Sequence, residues 1–352
     1  MKIAIFHNNL SLRRGAERLL LDILEYFPKE WEITIFTRRY DKITAFSEFE
    51  NLNVIKFNGF LDLLKLEKFD ILFSWLPFPN YFFGSFVKKF NKKNKNTPHI
   101  WYSGGAFLPN REKPKISKLP FKWMSDWAIK NTDKVFTLSN YIRQEVLKYN
   151  KKDSKVIYCG INSQDFKIEF IGKNKIPLIL FPTFMHKAKG VYDVFEASKN
   201  LLQKGVKFKL IITGGGPEKE ALEKLIQENN LEKDIILKSN IKDEDLKRLY
   251  NQCDFTLYPV FKGEFGLVLL ESLLYNKPII YRNEGAPKEL MENFQGKIYF
   301  NDVHDLKNKM KLLIENPSKR IALGRGGKDY VLKNFDVRFT ADNLIKEILK
   351  LK

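Results

Sequence analysis

The chain has 352 residues, with 61 Lys and Arg against 42 Asp and Glu, a formal net charge of +19, and 44% hydrophobic and 14% aromatic residues. That much apolar surface excludes a disordered chain, and the length exceeds one ordinary core, so two domains are expected. The charge points to an anionic partner, but its lysines are spread along the chain and no helix-turn-helix, zinc-ligand or RNP-type motif accompanies them, which argues against nucleic acid.

The opening residues Lys2–Phe6 form a short strand and lack the long apolar core of a signal peptide. No apolar run approaches the roughly 18 residues needed to cross a bilayer. The two cysteines, Cys159 and Cys253, are too few for a disulfide scaffold or a four-ligand zinc site and fit a reducing compartment. The expected location is cytoplasmic, with peripheral attachment to the inner face of the membrane as its extension.

Short apolar runs then alternate with helical periodicity. Strands are expected at Lys2–Phe6, Glu32–Phe36, Ile71–Ser74, His99–Tyr102, Lys134–Leu138 and Val156–Tyr158. A second series follows at Leu178–Phe181, Lys207–Thr213, Ile235–Leu237, Phe255–Leu257, Pro278–Tyr281 and Lys297–Tyr299. Helices are expected at Ala16–Tyr26, Ser139–Tyr149, Val191–Gln203, Glu218–Glu228, Glu244–Asn251, Leu267–Tyr275 and Val303–Leu313. Such alternation predicts an α/β protein of two facing doubly wound, Rossmann-like domains with ligands at the carboxyl ends of their strands. The stretch from Gly160 to Pro177 reads as a linker.

Four motifs could carry chemistry. Arg14-Gly15-Ala16-Glu17-Arg18 follows the first strand, where a glycine and a helix amino end would admit a phosphate. His186-Lys187-Ala188-Lys189-Gly190 lies between a strand and a helix, and its cations could neutralise a diphosphate leaving group. Thr213-Gly214-Gly215-Gly216-Pro217-Glu218 follows an apolar strand and is either a structural turn or a close approach to a nucleotide. Lys262-Gly263-Glu264-Phe265-Gly266-Leu267 leads a glycine-rich loop into an apolar helix. Two turns in, Glu271 lies among leucines and needs a partner, which two ribose hydroxyls would supply. Asp243-Glu244-Asp245 could suggest a metal-binding pair, but Asp243 reads as the amino-cap of the helix Glu244–Asn251. Aromatics and lysines interleave at Tyr81–Phe90 and Lys115–Lys130, a pattern suited to a core face with solvated lysines or to an anionic membrane surface.

These motifs, in this order, resemble the retaining glycosyltransferases of family 4, which have the GT-B fold, with a mannosyltransferase-like entry motif. The resemblance spans nearly the whole chain and is strongest over Ile176–Met291, where Phe261–Ile280 resembles the paired-glutamate block and Gly285–Glu289 the loop after it. It implies an N-terminal acceptor-binding domain over residues 1–165, a nucleotide-sugar-binding domain over 166–334 and a terminal helix, 335–352, returning to the first domain. It implies transfer of a hexose, with GDP-mannose favoured over a UDP-sugar, to a glycan or lipid-linked acceptor, without a metal or other cofactor. Lys189 and Glu264 would act at the reacting centre. Gly15, His186, Lys187, Gly214, Gly215, Gly216, Phe265, Gly266, Leu267 and Glu271 would bind the donor, Glu271 at its ribose, and Arg14, His99, Gly104 and Gly105 would lie on the acceptor side. The leaving phosphate itself would assist the acceptor hydroxyl.

The chain departs from the family pattern at four places. Gly263 stands where the first glutamate belongs, with Glu264 displaced by one; Phe184 stands near the usual arginine; Arg14 replaces a glycine; and Ser103-Gly104-Gly105 occupies the place of a loop histidine. Two other readings therefore remain open at this level: a non-catalytic subunit that binds nucleotide or glycan, and a nucleotide-sugar epimerase.

Overall fold

A computed structural model describes residues 1–11, 15–76, 78–105, 119–164, 166–169, 174–261, 263 and 265–351. The chain divides into two compact units, Met1–Asn162 with Asp336–Lys352, and Ser163–Phe335. The sequence reading sets its breaks at 165 and 334.

The first unit is built on β1 (Lys2–Phe6), β2 (Glu32–Thr37), β3 (Asn53–Lys56), β4 (Ile71–Trp75), β5 (His99–Ser103), β6 (Lys134–Thr137) and β7 (Lys155–Val156). All pair in parallel, in the order β3-β2-β1-β4-β5-β6-β7. The order reverses between β1 and β4, which opens a crevice at the carboxyl ends of those strands. Strands β1, β4 and β5 are buried almost throughout, as the central strands of a parallel sheet covered on both faces must be. Their cover comes from α1 (Gly15–Leu24), α2 (Phe60–Leu64), α3 (Asn80–Phe90), α4 (Leu119–Lys130) and α5 (Asn140–Asn150). One core cluster joins Phe6, Trp101, Tyr81 and Val87.

The closing helix of this unit, written α14 for its place in the chain (Val337–Leu349), packs on α1 and clamps the segment after β7. The Thr340 hydroxyl accepts from the Gly160 amide and donates to the Tyr158 carbonyl, both at 2.8 Å. A Cβ on Gly160 would lie 2.6 Å from the Asp336 carbonyl oxygen, so glycine is what allows this approach.

The second unit has β8 (Leu178–Pro182), β9 (Lys209–Thr213), β10 (Ile235–Lys238), β11 (Phe255–Tyr258), β12 (Ile279–Arg282) and β13 (Ile298–Phe300), parallel in the order β10-β9-β8-β11-β12-β13. Its helices are α6 (Val191–Gln203), α7 (Lys219–Glu228), α8 (Asp243–Gln252), α9 (Leu267–Leu274), α10 (Gly285–Leu290), α11 (Val303–Glu315), α12 (Pro317–Gly324) and α13 (Gly327–Asn334). The reversal here falls between β8 and β11, again setting a crevice at the carboxyl edge.

One local expectation is corrected. Asp243 lies inside the first turn of α8 rather than at its cap. Lys242 is the capping residue, its carbonyl accepting from the Leu246 amide at 3.0 Å. Three consecutive acids then sit at the positive end of the helix dipole, which stabilises the turn without a side-chain cap.

Candidate nucleotide site on the second unit

The carboxyl edge of the second sheet is made of four loops that lock onto one another. After β8, His186 caps a single 3-10 turn, Lys187–Lys189, its Nδ1 accepting from the Ala188 amide at 3.1 Å. Gly190 ends the turn at φ +72°, and a Cβ there would lie 2.5 Å from the Pro259 carbonyl oxygen. The Ala188 carbonyl in turn accepts from the Phe261 amide at 3.0 Å. The lysine turn is thereby seated against the loop that follows β11. Lys187 is exposed and Lys189 half-buried, and neither makes an ion pair among the described residues.

The loop after β11 is fixed from its other side. The Gly263 carbonyl accepts from the Ala286 amide at 3.0 Å, and Gly285, at φ +70°, brings its backbone so close that a Cβ would lie 2.5 Å from that oxygen. Gly266, at φ +92°, caps α9 without a side-chain bond, and the first turn of α9 holds no acid. The amino end of α9 therefore presents backbone amides and the positive end of a helix dipole at this edge. Phe265 is buried with its ring 6.5 Å from that of Phe335, so at Phe265, as at Gly266, only the backbone is on offer. Leu267 opens the helix and is half-buried.

Glu271 is half-buried on α9, and its Oε2 accepts from the Tyr250 hydroxyl at 2.6 Å. Burial raises its pKa above the ordinary carboxylate value; the Tyr250 hydrogen bond works against that shift, and the negative charge of Asp243 adds to it. Tyr250 is itself buried and stacks on Tyr275 with ring centroids 5.3 Å apart, so the hydroxyl is held rigidly. The sequence reading sees that Glu271 needs a donor; it does not find Tyr250, 21 residues earlier in the chain.

A second feature missed from sequence is Arg282, at the end of β12. It is 7% exposed. Its guanidinium pairs with Asp193, donates to the Pro259 carbonyl at 3.2 Å and lies 3.8 Å from the centroid of the Phe261 ring. One buried cation thus ties α6, β12 and the loop after β11 together, and holds the carbonyl against which Gly190 rests. The visible signal was a lone arginine ending an apolar strand, which does not reveal three partners distant in sequence.

For the triple glycine, geometry supplies a structural reason at two positions. A Cβ on Gly214 would lie 2.1 Å from the Thr183 carbonyl oxygen, and one on Gly216 would lie 2.3 Å from that of Met185, while Gly215 faces open space. Gly214 has φ +117° and Gly216 φ +151°. We expect Gly214→Ala to destabilise this unit by about 2–3 kcal/mol, lowering its thermal midpoint by several degrees, whereas Gly215→Ala leaves it in place. Equal midpoints for the two variants in thermal unfolding would contradict the assignment.

On the first unit the expected residues separate. Gly15 opens α1 and is exposed; Gly104 and Gly105 follow β5 at the carboxyl edge. His99 does not join them. It begins β5, at the opposite end of the strand, and is fully buried. Its Nε2 lies 2.8 Å from the Ser74 hydroxyl and its Nδ1 3.1 Å from that of Ser85. Burial pushes its pKa down to about 3, so it is a neutral core histidine and not an acceptor-side group. The histidine at the carboxyl edge of this sheet is His7, which directly follows β1 and was not singled out from sequence. It is buried with Nε2 3.2 Å from Oε1 of the equally buried Glu17 in the first turn of α1. Arg14 and Glu264 lie outside the described residues.

Among the described residues no group of three or more His, Cys, Asp or Glu side chains could hold a metal ion, and no helix is long and apolar enough to cross a membrane.

Comparison with known proteins gives a consistent set of matches. Residues 163–330 match the family described as Glycosyl transferases group 1, and residues 13–165 match Glycosyltransferase Family 4. The chain is 29% identical over 333 residues to an uncharacterized glycosyltransferase of Methanocaldococcus jannaschii, covering 88% of this chain and 83% of that protein. It is 23% identical to the alpha-1,3/1,6-mannosyltransferase of Mus musculus, over 96% of this chain and 93% of that one. Among solved structures, Anabaena HepE in complex with UDP and glucose superposes with a TM-score of 0.82 at 15% identity, covering 99% of this chain and all of that one.

Proposed function

We propose that this chain, a GT-B-fold glycosyltransferase related to the group 1 and family 4 glycosyltransferases, moves a hexose from a nucleoside diphosphate sugar to a glycan or lipid-linked acceptor with retention of anomeric configuration. The observation that carries the reading is the carboxyl edge of the second sheet. A lysine turn whose half-buried Lys189 makes no ion pair among the described residues is anchored beside the loop that leads into the amino end of α9, and the same helix carries Glu271. In this reading Lys189 and the α9 amides meet the diphosphate, and the Glu271 carboxylate accepts from the ribose hydroxyls.

Charge develops on the diphosphate as the glycosidic bond breaks. A fixed ammonium group and helix amides already aimed at it stabilise that charge without reorganising. The acceptor hydroxyl then reacts on the face the phosphate leaves, its proton passing to the departing phosphate oxygen. His99 is excluded from this step by its burial. Residues 1–165 serve the acceptor in this scheme, residues 166–334 the donor, and the helix of 335–352 belongs with the first unit.

GDP-mannose is the favoured donor, supported by the similarity to a mannosyltransferase along nearly the whole chain. A UDP-sugar is the second reading, favoured by the likeness to a structure that holds UDP and glucose. A calorimetric panel of GDP, UDP and their sugars separates them: GDP and GDP-mannose are expected to bind most tightly, and a preference for UDP ligands would establish the second reading. Proton NMR of the product distinguishes retention, which is expected, from inversion. Loss of donor without acceptor, giving an isomerised nucleotide sugar, would instead make the protein an epimerase.

A further inference from the structure

Helices α2, α3 and α4 leave an aromatic face outside the core of the first unit. The ring of Phe60 on α2 lies 4.7 Å from that of Phe86 on α3, Phe86 lies 4.9 Å from Phe90, and Phe90 stacks on Trp127 of α4 at 5.8 Å. The outer members are open to solvent: Leu61 is 72% exposed, Trp123 68% and Phe90 52%. Trp123 precedes Trp127 by one helical turn and shares its face. Large apolar side chains gathered in this way, rather than scattered singly, mark an interaction surface.

The rim of this face is cationic. Lys65 follows α2, Lys89 lies in the last turn of α3, Lys92, Lys93 and Lys95 come directly after it, and Lys130 closes α4. All six are exposed, and none makes an ion pair among the described residues. The acids on the same helices are already engaged: Asp62 accepts from the Asn58 and Gly59 amides, and Asp126 pairs with Lys122. A second copy of the chain would bring one set of exposed ammonium groups against another, which disfavours self-association through this face. A surface of fixed negative charge over an apolar interior has no such conflict. Aromatic rings settle at the headgroup level, and lysine stems snorkel to bring their ammonium groups to lipid phosphates.

We propose that this face docks the first unit onto an anionic bilayer, with Phe60, Leu61, Phe90 and Trp123 in the interfacial layer and the lysine rim on lipid phosphates. The inference does not depend on the reading of the donor site. Its test is flotation of the whole chain with vesicles of phosphatidylcholine alone or mixed with phosphatidylglycerol, at about 0.05 M and about 0.5 M salt. The chain is expected to float with the mixed vesicles at low salt and to be released at high salt. The triple variant K92Q/K93Q/K95Q is expected to lower partitioning about a hundredfold, the triple arginine variant to retain it, and Trp123→Ala to lower it about tenfold, with nucleotide affinity unchanged in all three. No flotation at low salt, or equal flotation of the glutamine and native chains, would overturn the proposal. So would a dimer in sedimentation that Trp123→Ala dissolves without any vesicle binding, because the face would then belong to a second copy.

Discussion

Lys189→Ala is expected to lower kcat/KM for sugar transfer by about 10²–10³-fold, the usual cost of removing one group aimed at developing charge. The loss is expected mainly in kcat, because the charge on the diphosphate rises as the bond to the sugar breaks. Folding is expected to be intact. Lys189 makes no ion pair among the described residues, and the turn that carries it is held by backbone contacts and by His186. Lys189→Arg is expected to recover part of the rate, since it restores the charge while changing its reach and geometry. Lys187→Ala, on the exposed side of the same turn, is expected to cost less than about tenfold. Steady-state kinetics of these three variants provide the check, and full activity in Lys189→Ala would remove the lysine from the mechanism.

Glu271→Ala is expected to weaken nucleoside diphosphate binding about a hundredfold, as two hydrogen bonds to a charged acceptor are lost. The same position predicts a pH dependence. Burial raises the pKa of Glu271 in the free protein, while ribose hydroxyls donating to the carboxylate would lower it in the complex. The free protein then holds more protons than the complex between those two values. Affinity is therefore expected to fall as pH drops below the raised free-state pKa, and to level off above it. Tyr250→Phe removes the hydrogen bond that opposes the rise, so the midpoint is expected to move to higher pH. Glu271→Gln is expected to abolish this component. Titrating GDP and its 2′-deoxy counterpart into native and Glu271→Gln protein tests the contact itself. The deoxy penalty should be present in the first and nearly absent in the second. An equal penalty in both would place the ribose elsewhere.

Much of the architecture was legible because buried parallel strands read as short apolar runs. Phe255–Tyr258 and Ile279–Arg282 are buried throughout and stand out at once, and α6 falls at the expected residues. The edge strand β3 was not found, because Asn53–Lys56 is mostly exposed and carries no burial pattern. The helices α12 and α13 were missed for a related reason: each is eight residues long, and Val331 in α13 is buried by contacts made from outside its own segment.

At the candidate site, the glycines were visible as glycines but their reasons were not. Gly190, Gly266 and Gly285 matter through positive φ and through particular oxygen or ring atoms lying within 3 Å of an added Cβ, which only the assembled loops reveal. The same holds for charge. Glu271 stood out among leucines, yet its donor Tyr250 comes from another helix, and Arg282 draws its partners from α6 and from the loop after β11. His99 was the opposite case. A histidine in a strand stands out in a sequence with four, and only burial shows it to be part of the interior.

The central claim is that Lys189 and Glu271 belong to one site for a nucleoside diphosphate. Hydrogen–deuterium exchange of the whole chain, with and without saturating GDP or UDP, tests it most directly. The account predicts slowed exchange in the turn at 186–190 and in the first turn of α9, with the effect around 271 lost in Glu271→Ala. Nucleotide-dependent protection that spares both segments would contradict it.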